Sequence, residues 1–95
     1  MLETVHFTMG ETKRVCIKVT SGYNHPFEIS RAQFSLMACN EVEEKGDCEI
    51  SQIKDNECIL SVIINPKRKN ATYTLRYTYD IAPEKLIYDV RIRVS

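Results

Sequence analysis

Two histidines, four cysteines and a cluster of carboxylates are the residues of this chain best suited to chemistry. His6 and His25 are candidate bases or metal ligands, but neither has a Ser, Cys or Asp at the spacing a nucleophile–base pair uses. His25 precedes Pro26, which drives it out of helical geometry and marks it as a loop residue. Cys16, Cys39, Cys48 and Cys58 include no CxxC pair, the spacing zinc sites favour. Glu43 and Glu44 are adjacent, in a charged segment that offers no shelter to raise a carboxyl into the acid–base range. No GxSxG, P-loop, HExxH or Rossmann glycine pattern occurs. The sequence therefore predicts no catalytic residue, no metal site and no cofactor, and reads as a non-enzyme.

Charge supplies the remaining candidates. Residues 41–49 are strongly acidic. Lys67, Arg68 and Lys69 form a basic run, and Arg76, Arg91 and Arg93 extend that sign along the final strands. These six cations are the candidate partner-binding set: a dipolar module could dock its acidic segment on the basic face of a neighbour. The competing reading is a solvated surface, since exposed ion pairs contribute only ~0–1 kcal/mol each. Lys plus Arg equals Asp plus Glu, so net charge is zero. A dedicated nucleic-acid binder normally carries a basic excess, so nucleic acid is not expected as a partner. Zero net charge also favours self-association.

The first residues show no basic segment followed by an apolar run, and no stretch approaches the ~18 apolar residues of a membrane span. The expectation is a chain made in the cytoplasm, without a membrane partner and with reduced thiols. A Cys39–Cys48 bridge is the alternative for an oxidising medium. Asn70-Ala71-Thr72 matches a glycosylation acceptor, read as accidental in that compartment.

The elements that would carry these residues read as strands. Tyr73, Leu75, Tyr77 and Tyr79 alternate with Thr72, Thr74, Arg76 and Thr78. After a break containing Pro83, Leu86, Tyr88, Val90, Ile92 and Val94 alternate with Ile87, Asp89, Arg91 and Arg93. Such period-two runs predict half-buried strands. Residues 13–20 form another, with Val15, Ile17 and Val19 inward and Arg14, Cys16 and Lys18 outward. A short strand is expected over residues 4–9 and loops over 21–27 and 65–70. Residues 40–47 read as an acidic loop. Residues 48–54 alternate imperfectly, because Ile50 and Ile53 fall on opposite sides, which predicts a bulge or an edge position. Residues 57–64 are apolar on both faces and predict a strand that lies centrally or has its second face covered. Residues 31–44 are ambiguous. Ser30 and Gln33 suggest a capping box and a helix, whereas Ala32, Phe34, Leu36 and Ala38 alternate as a strand does.

About seven short strands within 95 residues predict one domain, residues 1–95, folded as an immunoglobulin-like antiparallel β-sandwich. The alternative is an α+β fold with one helix at residues 31–44. Tyr73 and Tyr77 are both candidates for a tyrosine corner. The antibody-type disulfide is not expected, since the penultimate strand carries no Cys and the chain no Trp.

The order of elements resembles the small immunoglobulin-like domain of phage and prophage tail proteins, notably the N-terminal domain of baseplate upper proteins. Ile29-Ser30-Arg31-Ala32-Gln33-Phe34-Ser35-Leu36 stands where that family has an Ile/Leu-Ser-x-Ala segment leading into its third strand. Ala71-Thr72-Tyr73 and Ile92-Arg93-Val94 stand at its closing strands, with Asn70 or Ala71 in place of a glycine. The resemblance implies a strand at the ambiguous segment and a structural role in assembly, with the chain itself or neighbouring structural proteins as partners and a virion as one destination. The alternative function is a soluble domain that binds a peptide or carbohydrate on one sheet face, using Tyr23, Tyr79 or Tyr88.

Overall fold

The computed structural model describes residues 3–20, 27–39, 41–81 and 84–95. The strands are β1 (Glu3–Phe7), β2 (Lys13–Thr20), β3 (Arg31–Ala38), β4 (Glu41–Asp47), β5 (Glu49–Lys54), β6 (Glu57–Ile64), β7 (Thr72–Ile81) and β8 (Glu84–Val94). They form a five-stranded sheet, β1-β8-β7-β3-β4, and a three-stranded sheet, β2-β6-β5. The protein is all-β, and its sheets are layered face to face as in an immunoglobulin-like sandwich.

The alternation of the sequence becomes the inner faces of the two layers. Val15, Ile17 and Val19 of β2 and Cys58, Leu60, Val62 and Ile64 of β6 line one side. Phe34, Leu36, Tyr73, Leu75, Tyr77, Val90 and Ile92 line the other. The Tyr77 hydroxyl crosses the core and donates to the Val15 carbonyl at 2.8 Å, so β7 and β2 are tied by a bond as well as by contact.

Residues 31–38 are a strand, and the helical alternative at 31–44 is excluded. Ala32, Phe34, Leu36 and Ala38 are all buried, which only period two allows. Ser30 makes no helix cap; its backbone N–H donates to the Asp80 carbonyl at 3.1 Å. Cys39 adopts a positive φ of 51° and ends the strand.

Several expectations are corrected. The acidic loop of residues 40–47 is strand β4 over Glu41–Asp47, which raises the count to eight. Here the register with β3 shifts between Leu36 and Met37, so Glu43 is the extra residue of a bulge. The fold is not purely antiparallel: β1 runs parallel to β8, with Glu3 opposite Val90 and Phe7 opposite Val94. β1 stops at Phe7, short of Met9, because a turn through Gly10 at φ 91° follows it. Tyr88 belongs to the inward row, opposite Tyr77, yet is 42% exposed. The parallel partner reaches only as far as Val90, so the sheet margin beyond it is open. β6 is central between β2 and β5, as expected, but its second apolar face is not covered, since Ile63 is 54% exposed.

Other expectations hold. The register break between Gln52 and Lys54 places the predicted bulge at Ile53. Cys48 alone separates β4 from β5, and its N–H donates to Ala32 at 3.0 Å where the chain passes from one sheet to the other. The loop that holds Tyr23, His25 and Pro26 and the turn at Pro83 lie outside the described residues.

Candidate interaction surface

The six candidate cations fall into three settings. Arg76 sits on the outer face of the five-stranded sheet, directly across from Asp89. Its Nε and Nη2 meet the two carboxylate oxygens at 2.9 and 3.1 Å, a bidentate pair that raises the guanidinium pKa further. Arg68 pairs with Glu41 at 3.1 Å and with Glu43 at 3.8 Å. Both arginines therefore have carboxylate partners within the chain. Arg91 and Arg93 differ: both are exposed, and neither has an ion pair among the described residues. They lie between Thr72 and Thr74 of β7 on one side and Thr4 and His6 of β1 on the other. Lys67 and Lys69 occupy the exposed loop between β6 and β7.

Tyr73 organises that loop. It is fully buried at the start of β7, and its hydroxyl accepts the Arg68 N–H at 3.0 Å. The same hydroxyl donates to Glu43 Oε2 at 2.6 Å, while the Lys67 N–H donates to Glu43 Oε1 at 3.0 Å. A tyrosine at the start of the penultimate strand, bonded to backbone a few residues upstream, is the tyrosine corner of immunoglobulin-like sandwiches. Tyr73 holds this position, and Tyr77 has the separate role of bridging the sheets. Burial, then the Glu43 carboxylate, push the Tyr73 hydroxyl pKa up. Asn70 takes a positive φ of 58° just before the corner, a conformation that Gly or Asn adopts most readily.

The acidic and basic segments thus meet partly within one molecule: Glu41 and Glu43 of β4 hold the loop of Lys67 and Arg68. The sequence does not disclose this network, because residues 40–47 read as a loop. The bulge that turns Glu43 toward Tyr73 depends on pairing with β3, which the local sequence does not encode.

The four cysteines are unbridged. Cys16 and Cys39 are exposed, Cys48 is half-buried and Cys58 is buried. Burial, then the neighbouring Asp47, push the Cys48 thiol up to about 11, the direction of an unreactive thiol. Among the described residues no group of three or more His, Cys, Asp or Glu side chains is placed to hold a metal ion. A depression on the outer face of the five-stranded sheet is lined by Met37, Cys39, Thr72, Thr74, Arg76 and Asp89, beside Arg91 and Arg93. Of the tyrosines considered for ligand binding, Tyr79 is buried and Tyr88 faces the core margin; Tyr23 lies outside the described residues.

Compared with known proteins, the chain matches no family model, no curated protein and no solved structure.

Proposed function

We propose that this protein is a non-enzymatic assembly module that works through protein–protein contacts, with copies of itself or neighbouring structural proteins as partners. The observation that carries this reading is the arrangement of Arg91 and Arg93. They stand exposed on the outer face of the five-stranded sheet, without an ion pair among the described residues, while Arg68 and Arg76 are held by carboxylates of the chain. Two exposed guanidiniums on one strand, with Thr72 and Thr74 alongside, suit a carboxylate-bearing protein surface. The finer reading is a phage or prophage tail or baseplate-like component, supported by the sequence resemblance; flanking tail or head genes would strengthen it.

Light scattering across concentration tests the assembly reading, with and without the double substitution Arg91→Glu, Arg93→Glu. Concentration-dependent association that the double variant weakens is the expected result. Strictly monomeric behaviour at high concentration would sink the self-assembly form of this reading.

A further inference from the structure

Four strands flank the two sheets, and three of them are protected as edges. β4 carries the bulge at Glu43, and β5 the bulge at Ile53. The Gln52 amide of β5 is also turned back onto the carbonyls of Lys54 and Glu57. β1 is only five residues long. Bulges and shortness are the usual devices that stop an edge from recruiting another strand.

β2 has neither. It is eight residues long and pairs β6 without a register break from Lys13 to Thr20. Among the described residues no strand lies on its other side. Its basic side chains, which ordinarily guard such an edge, are drawn elsewhere. Arg14 reaches across β6 to Glu49 of β5 at 2.8 Å, touching Ser61 on the way at 3.2 Å. Lys18 bends to Glu57 of β6 at 3.2 Å. Lys13 is held by Glu11 at 3.3 Å and the His6 carbonyl at 3.0 Å, over the Phe7 ring.

We propose that the β2 edge pairs antiparallel with the β2 edge of a second copy of this chain, about a two-fold axis at Ile17. This deepens the assembly reading and rests on it. The register follows from side-chain chemistry. An odd offset would set inward residues beside outward ones and break both cores. Centring on Cys16 would put Arg14 directly opposite Lys18, and centring on Lys18 would oppose it to itself, both like-charge contacts. Centring on Ile17 sets Val15 opposite Val19, Ile17 opposite Ile17 and Arg14 opposite Thr20. It also sets Cys16 opposite Lys18, once on each side of the axis. The inward row is then apolar across the seam, and no like charges face each other. One strand pair buries much less than the ~1,600 Å² of a standard stable interface, so the dimer is weak and visible only at high concentration.

Cys16 is exposed and faces outward, so its substitution probes the seam without entering the core. Sedimentation across concentration is compared for the wild type, Cys16→Lys and Cys16→Glu, with thermal unfolding to show that each variant folds. Cys16→Lys meets Lys18 twice in the dimer and weakens it about tenfold; Cys16→Glu strengthens it by a similar factor. In a Cys39→Ser background, Lys18→Cys gives an intermolecular disulfide with Cys16 on oxidation, and the parent does not. Association that responds to the Arg91 and Arg93 substitutions but not to Cys16 charge overturns the β2 seam and leaves the assembly reading intact. A monomer at every concentration overturns both the seam and the self-assembly form of that reading.

Discussion

Tyr73 and Tyr77 carry the same side chain four residues apart on one strand, and their hydroxyls do different work. Tyr73 satisfies a loop N–H and a carboxylate at the corner, whereas Tyr77 bonds a backbone carbonyl of the opposite sheet. Tyr73→Phe leaves the Arg68 N–H and one Glu43 oxygen without this partner. The expected loss is about 1–2 kcal/mol, read by urea denaturation, with the loop of Lys67 and Arg68 loosened in hydrogen exchange. Tyr77→Phe should cost a similar amount, about 1 kcal/mol, while leaving that loop's exchange unchanged. Alkaline pH acts on both residues. Burial raises the pKa of the Tyr73, Tyr77 and Tyr79 hydroxyls and of the Cys48 thiol, the last to about 11. The unfolded chain releases these protons first, so their contribution is intact below about pH 8.5, where free thiols begin to titrate. It declines as pH rises through the thiol range toward 11 and falls further as the tyrosines ionise. The melting temperature should therefore drop between about pH 8.5 and 11, and Cys48→Ala should reduce the early part of that drop.

Among the elements, β4 is the least expected and the most informative. Glu41-Val42-Glu43-Glu44-Lys45-Gly46-Asp47 has little apolar alternation, and it is largely exposed. It is a strand because β3 offers a backbone ladder, and ladder hydrogen bonds need no particular side chain. Gly46 also gives room to Phe34, since a Cβ there would come within 3.3 Å of the ring. The turn into β7 depends on backbone geometry instead. Asn70 at φ 58° predicts that Asn70→Gly is tolerated, whereas Asn70→Val costs about 1–2 kcal/mol in equilibrium unfolding. Deep in the same strand, Leu75 is fully buried between the sheets, and Leu75→Ala should cost about 2–5 kcal/mol by the same measurement.

At the scale of the molecule, surface function separates from core stability. Arg91 and Arg93 alternate with Val90, Ile92 and Val94, so charge and core share one strand without sharing a face. Reversing both charges should leave the melting temperature within a few degrees of the wild type while weakening association, because exposed charges contribute little to folding. The sequence by itself determined a predominantly β chain, the inward rows of β2, β7 and β8, the broken alternation of residues 48–54 and the absence of a local catalytic motif. Each is written in residues close along the chain, as period-two hydrophobicity or its interruption. Tertiary structure decided the rest: that residues 41–47 pair, that β1 runs parallel to β8, that Tyr73 and not Tyr77 is the corner, and that Arg68 and Arg76 are held by internal carboxylates. These depend on partners brought together from 13 to 30 residues away or more. Alternation tells which way a side chain points, but the identity of the group it meets is set only when the two sheets close.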